Sequence, residues 1–441
     1  MAFHKRLDRF RYFYQKIEHK EYFANVFIGL SLMNLLIIVF SKLYFGRELF
    51  INFAWFPDDL PGIGLVNPPQ GLGAGHYFGD FLLPITVAKT GLGIIPFFPY
   101  FPAAALLVLP FSYLPYLFSY FLFFTVFTLI NLMIYVKILR KLSFVVKYQL
   151  GVVFGLLNLG SIYQFDRGNV QIAVTTFILL GLFFASKKKY MHFAFFISIA
   201  GALKLWPFIF LLILLKRKKF SEVLLSILAA LTLNVLSVLV FKFDFRFAYV
   251  HLLNQWMLMK EFNTVGGPLN HTGAKSSSLL VTFSIIKEYG FFGLARISDF
   301  LILHFQFVQV LILIIFLIFY FTIKAQNIAI EYLLIACIIL VVPAGQFGYV
   351  ISILPVGILL LLTNENLLTK KLSFTDFLRW FIPLNLFLLV MVPWVIPITG
   401  NVNDPRYPWD LNSVINPVFL SILIIVLLFN LHAQKKITPD S

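Results

Sequence analysis

Apolar residues in this chain fall into runs of about twenty, without the alternation of a strand. Short basic turns or long loops rich in Gly, Pro and Asp separate the runs. Runs of that length and pattern predict helices that cross a bilayer. The first is placed at about 24–45, behind a basic helix at 1–22 that carries Lys5, Arg6, Arg9, Arg11, Lys16 and Lys20. No small-residue cleavage site follows that run, so 1–22 is predicted to be a cytoplasmic surface helix and not a leader. Further spans are predicted at about 116–136, 148–165, 170–186, 220–241, 300–323, 328–342, 349–362, 378–397 and 413–431. Residues 103–113 are too short to cross and read as re-entrant.

The stretch 190–215 is different. It is apolar, yet strongly basic at both flanks, 187–189 and 216–219. It is too short to cross twice as full helices. The reading is two short, broken helices that meet near Lys204 and Pro207, a form tolerated at membrane depth where it lines a cavity.

The basic turns fix the orientation. Lys137, Arg140, Lys141, Lys147, Lys187 to Lys189, Lys324, Lys370, Lys371, Arg379, Lys435 and Lys436 then fall inside, with both termini. The loops 46–102, 242–298 and 399–412 fall outside. The domain reading is the helix 1–22 followed by one transmembrane unit, 23–441, of about eleven to thirteen membrane helices.

Composition agrees. Of 441 residues, 60% are hydrophobic and 12% charged, with mean hydropathy +0.90. A soluble domain carries about 25% charged residues. In lipid only helices or a closed barrel satisfy the backbone, and runs of this length decide for helices: an all-α polytopic membrane protein. The net charge of +16 is explained by the basic turns and does not call for nucleic acid. The single cysteine, Cys337, rules out an internal disulfide. No phosphate-cradling glycine loop and no metal-spacing His/Cys cluster is present.

Ionisable residues in or beside spans are the candidates for chemistry. Asp80 stands in a glycine-rich loop before the aromatic-proline cluster Phe97-Phe98-Pro99-Tyr100-Phe101-Pro102. There it can take a proton from a hydroxyl, although an Asp beside Gly more often shapes a turn. Asp58 and Asp59 are rivals in the same loop. Asp166-Arg167-Gly168-Asn169 joins two spans; its Arg can grip phosphate, or the Asp and Arg can simply pair. Lys204 lies deep in apolar sequence, where a lone cation costs about 3 kcal/mol. It calls for an anionic partner, either a lipid phosphate or a carboxylate of another helix. His271, beside Asn270, can bond phosphate or sugar, or be a solvated loop residue. Gln346 and Tyr349 can line a sugar site, or end a helix. Trp256, Trp394 and Trp409 read as interfacial residues.

Several of these stretches together resemble glycosyltransferase family 87. The run Arg167-Gly168-Asn169-Val170-Gln171, a span, a basic turn, and Ala200-Gly201-Ala202-Leu203-Lys204-Leu205-Trp206-Pro207 is the most specific match. Gly79-Asp80-Phe81, followed by Tyr100-Phe101-Pro102 and Leu109-Pro110, is similar to the family's first-loop acid and its entry into the membrane. Asn270-His271-Thr272 and Val342-Pro343 with Tyr349-Val350 and Leu354-Pro355 are looser matches. The resemblance implies a GT-C helical bundle with a long first outer loop. It also implies a polyprenyl-phosphate sugar donor and the first-loop Asp80 as base, with Asp58 or Asp59 as alternatives.

On that reading a sugar, mannose or another hexose, passes to a hydroxyl of a lipid-linked or glycan acceptor outside a bacterial inner membrane. Lys204, Arg167 and His271 would hold the donor phosphate. Asp166, Asn169, Asn270, Gln346 and Tyr349 would line the substrate site. A carboxylate base with protein cations requires no metal cofactor, while Asp58 and Asp59 leave a divalent ion open. The rivals are a transporter or flippase built on the broken helices, and a polysaccharide polymerase or ligase.

Overall fold

The computed structural model describes residues 79–90, 101–140, 144–155, 160–161, 164, 169–242, 279–289, 293–323, 327–342, 348–364, 383–387, 389–390, 397–399, 409–410 and 412–434, with Asn25, Gly29, Leu32 and Leu36. These residues are almost wholly helical, as expected. One short antiparallel pair, Pro397–Thr399 with Trp409–Asp410, closes the stretch read as a loop at 399–412.

In chain order the helices are α1 Gly79–Thr90, α2 Ala103–Ser112, α3 Tyr116–Ile138, α4 Phe144–Gly155, α5 Gln171–Ala185 and α6 Tyr190–Leu203. A 3-10 turn, Trp206–Leu211, leads into α7 Leu212–Lys216, then α8 Phe220–Val240, α9 Leu279–Tyr289, α10 Ala295–Leu303 and α11 Phe305–Thr322. After α12 Ile328–Val341, a second 3-10 turn, Gly348–Ile353, opens α13 Leu354–Asn364, and α14 Asn412–Gln434 is last. Segments within α3, α8, α11 and α14 are long and apolar enough to cross a membrane; other apolar helices are shorter.

Burial sorts the helices. α12 is apolar nearly all round and buried from Ala329 to Val341, as befits the centre of a bundle. α5 is buried along most of its length. In contrast, Leu224, Leu228 and Leu231 of α8 and Phe307, Val310 and Ile314 of α11 face outward, which suits a lipid surface. α5 packs on α6, α6 on α8, and α12 on α14.

Five sequence boundaries need correction. α4 begins at Phe144 rather than 148, because Phe144-Val145-Val146 already starts the apolar run. Lys147 is therefore in the first turn, its ammonium 5.5 Å and 5.6 Å from the rings of Phe144 and Tyr148. The loop 46–102 contains α1, so Asp80 starts a helix instead of lying in a loop. The loop 242–298 contains α9 and the start of α10, amphipathic helices whose polar residues lower the local hydropathy. With Phe305 of α11 they form a small core through Leu280 and Ile302, and Lys287 pairs with Asp299 at 2.5 Å. The span at 300–323 is thus two helices that meet at His304. Finally, the span at 378–397 stops short, since Pro397 already belongs to the strand pair.

The stretch 190–216 folds as read. α6 rises, the chain breaks at Lys204 and Leu205, and the 3-10 turn and α7 return. The two ends meet, with the Arg217 guanidinium 5.8 Å from the Tyr190 ring centre. The turns 187–189 and 217–219 therefore lie on one side of the bundle, here called the basic end. Both are built alike. Lys189 N–H donates to Phe184 O (3.0 Å) and Lys188 N–H to Ala185 O (2.9 Å); Lys219 and Lys218 repeat this with Leu214 O and Leu215 O. Lys188 and Lys218 hold the left-handed position, with φ 60° and 57°.

Candidate functional site

The site starts from the break. In a continuous helix Pro207 would bond back to the Leu203 carbonyl, but proline has no N–H. It stands instead in the first turn of the 3-10 segment, where donors are unpaired anyway. Gly201 lets the returning chain come close: a Cβ there would lie 2.5 Å from the Phe208 ring. The Ala202 carbonyl, freed by the break, accepts from Asn234 Nδ2 of α8 at 3.2 Å.

Lys204 is extended, φ −150° and ψ 142°. At fourteen residues, α6 places it about 21 Å from the basic end, inside the roughly 30 Å of hydrocarbon. Its Nζ donates to Asn169 Oδ1 at 3.3 Å. A cation just past the C-terminus of a helix is also favoured by the helix dipole.

Asn169 is buried at the head of α5. Its Oδ1 also accepts the Gln171 N–H at 2.9 Å, and its own N–H donates to Gln164 O at 3.1 Å. Gln164 Nε2 in turn donates to Ser352 Oγ (2.5 Å) and Thr175 Oγ1 (3.3 Å). Thr175 and Ser352 share a bond of 3.0 Å, and Gln171 Nε2 reaches Thr175 Oγ1 at 3.4 Å. Gln164, Asn169, Gln171, Thr175 and Ser352 are all buried. Hydrogen bonds among the members of this polar cluster fix their orientations within an apolar bundle, and Gln171 Oε1 is left buried without a hydrogen-bond partner.

Asp80 is the second residue of α1, and its backbone is what the structure describes. The next residue, Phe81, packs on Phe123 (ring centres 5.0 Å apart), as does Phe111 near the end of α2 (5.2 Å). The other end of α2 is beside the break: Ala103 N–H donates to Asn234 Oδ1 at 3.2 Å. Asp80 and Lys204 thus stand toward opposite ends of α2. From Ala103 to Phe111 the helix rises about 12 Å. Asn169 and Lys204 are brought together; Asp80 is placed by its backbone alone. Asp58, Asp59, Asp166, Arg167, Asn270, His271 and Gln346 lie outside the described residues, and Tyr349 is placed only by its backbone in the second 3-10 turn.

Sequence reasoning passed over two features. Asn234, Gln164 and Ser352 carried a weak signal, a polar residue within a predicted span. Glu331 carried a strong one, an acid four residues into the span 328–342. It is fully buried, 2.6 Å from Arg217 Nη1 and 3.5 Å from Lys216 Nζ, with Tyr320 OH at 3.4 Å. Lys216 and Arg217, read as part of the basic flank 216–219, have side chains buried against it. Burial works against the Arg217 charge and the Glu331 carboxylate works for it; the net shift is upward from the ordinary guanidinium value. This cluster is at the basic end, away from Lys204.

A polytopic helical bundle with a partly buried lysine at a helix break, bonded to a buried asparagine, defines a membrane protein with a polar site at that break. The family model for glycosyltransferase family 87 matches residues 98–343, more than half of the chain. The chain belongs to that family and is a membrane glycosyltransferase. Asn169, Lys204 and Asn234 fall within the matched segment; Asp80 and Ser352 fall outside it. No curated protein and no solved structure matches the chain.

Proposed function

We propose that this glycosyltransferase takes its sugar, mannose or another hexose, from a polyprenyl-phosphate donor. It passes the sugar to a hydroxyl of a lipid-linked or glycan acceptor on the extracytoplasmic side of a bacterial inner membrane. The observation that carries the reading is Lys204, a partly buried cation at a helix break about 21 Å from the basic end, its amine oriented by Asn169. A lipid-borne phosphate is the anion that reaches such a depth with its tail in the bilayer.

Asp80 accepts the proton of the acceptor hydroxyl. The acceptor oxygen bonds the anomeric carbon as the bond from that carbon to the phosphate oxygen breaks. Polyprenyl phosphate leaves with the electron pair, its charge stabilised by Lys204 and, on this proposal, by Arg167 and His271. Sugar and acceptor occupy the interval between Asp80 and Lys204. Asp166, Asn169, Asn270, Gln346 and Tyr349 are proposed to line that interval, and Asp58 or Asp59 is the alternative base. The steps call for no metal cofactor.

The test is sugar transfer in membranes holding the full chain, with a panel of labelled polyprenyl-phosphate sugars, for wild type, Asp80→Asn and Lys204→Met. Transfer by wild type that is lost in both folded variants supports the reading and names the sugar. Equal transfer by Asp80→Asn moves the base to Asp58 or Asp59. No transfer from any donor by folded wild type overturns it.

A further inference from the structure

One side chain joins the two interrupted helices at the site. Asn234 Nδ2 donates to Ala202 O, and its Oδ1 accepts from Ala103 N–H, each at 3.2 Å. Nδ2 also reaches Ala230 O of its own helix at 3.1 Å. Ala202 is the last but one residue of α6, two before Lys204, and Ala103 is the first of α2. Both groups are the orphans that a helix end leaves, a carbonyl at one and an amide at the other. Within a bilayer each would cost several kcal/mol unbonded. An amide side chain has one donor end and one acceptor end, and this one uses both.

We propose that Asn234 is a positioning residue of the donor site: it fixes the backbone from which Lys204 reaches the donor phosphate and ties it to the head of α2. The inference rests on the reading of Lys204 as the phosphate ligand. Holding α6 against α8 is a separate task with its own bond. Ser226, two turns lower in α8, donates to Ala194 O of α6 at 3.0 Å. Asn234 contacts the pair only where α6 breaks, so its loss is felt at Lys204 before it is felt by the helix pair. The polarity of the link is specific. An aspartate keeps the acceptor for Ala103 and loses the donor for Ala202, and a leucine loses both.

The test is binding of polyprenyl phosphate to the full-length protein in lipid nanodiscs, with thermal stability measured alongside. Lys204→Met is expected to weaken binding about tenfold, the scale of one charge-assisted contact. Asn234→Asp and Asn234→Leu are expected to weaken it by a similar factor. Ser226→Ala, which removes a bond between the same two helices, is expected to bind as wild type. Joining Asn234→Asp to Lys204→Met should add less than about twofold, because residues acting through one contact are not additive. Losses that multiply in the double variant, or an equal loss in Ser226→Ala, overturn the role and leave Asn234 a general packing residue. Wild-type binding by both Asn234 variants, with Lys204→Met weakened, overturns this inference alone. Wild-type binding by Lys204→Met overturns the donor-site reading and this inference together.

Discussion

Lys204 and Asn169 stand thirty-five residues apart in the chain, and the amine of one meets the amide oxygen of the other at 3.3 Å. The same oxygen holds the Gln171 N–H, so the contact that aims the lysine also shapes the head of α5. Asn169→Asp places a full negative charge against the amine and competes with a bound phosphate, whereas Asn169→Ala leaves the amine unaimed. The donor KM is expected to rise in both, with aspartate the worse by about tenfold, or 1.4 kcal/mol. Steady-state kinetics against donor concentration checks the order.

Asp80 has two claims on its position. A carboxylate in a first helical turn complements the helix dipole, a contribution of about 0.3–1 kcal/mol. A general base contributes about a hundredfold or more to rate. Asp80→Asn is expected to lower the melting temperature slightly and to reduce transfer at least about a hundredfold. Paired melting and transfer measurements on one preparation separate the two; a small fall in both leaves only the helix-start role.

Gly160 and Gly151 look alike in sequence and differ in space. A Cβ at Gly160 would strike the backbone of Ser352, which carries one of the Gln164 bonds. At Gly151 the nearest atom is Val136 Cγ2, 3.9 Å away. Gly160→Ala is expected to destabilise by about 1–3 kcal/mol through overpacking. Gly151→Ala, inside α4, is expected to be neutral or to stabilise by about 0.5–1 kcal/mol. Thermal unfolding in detergent compares them directly.

Glu331 is matched by two buried cations, and removing it leaves both without a carboxylate. Glu331→Gln is expected to destabilise by about 3–5 kcal/mol. Changing Glu331 and Arg217 together to apolar residues should recover part of that loss, since fewer unpaired charges stay buried. The folded fraction of either variant should keep its donor KM, because the cluster is at the end of the bundle opposite Lys204. A raised KM would show that the basic end reaches the site.

Lys188 and Lys218 hold a conformation in which an L-residue loses about 1–2 kcal/mol relative to its usual basin. Glycine adopts it freely. Lys188→Gly and Lys218→Gly are each expected to raise thermal stability, by up to about 1 kcal/mol. Melting curves of the single and double variants test this.

Much of the bundle was legible because apolar length is a strong signal: α3, α5, α8, α12 and α14 begin and end close to their expected limits. The hairpin around Lys204 was legible for a different reason, since charge at both flanks fixed its ends on one side. α9 and α10 were missed because their burial is one-sided and their mean hydropathy low. The Lys204–Asn169 contact could be anticipated only as a shared resemblance, as no local rule pairs residues on separate helices. Asn234 and Glu331 show the limit from the other direction. Both are polar groups in apolar runs, visible in the sequence, but which helix each one serves is decided by packing.

The bond between Asn234 and the Ala202 carbonyl also bears on how the protein is made. The partner of that carbonyl is translated thirty-two residues later. The segment from Tyr190 to Lys216 begins and ends on one side, so it enters the bilayer as a loop, and it does so before its own backbone can be completed. A nascent chain halted short of α8 therefore exposes an unbonded carbonyl to lipid two residues from Lys204. The proposed donor site would then become competent only when a later helix docks, which would make its biogenesis a matter of insertion order as well as of sequence.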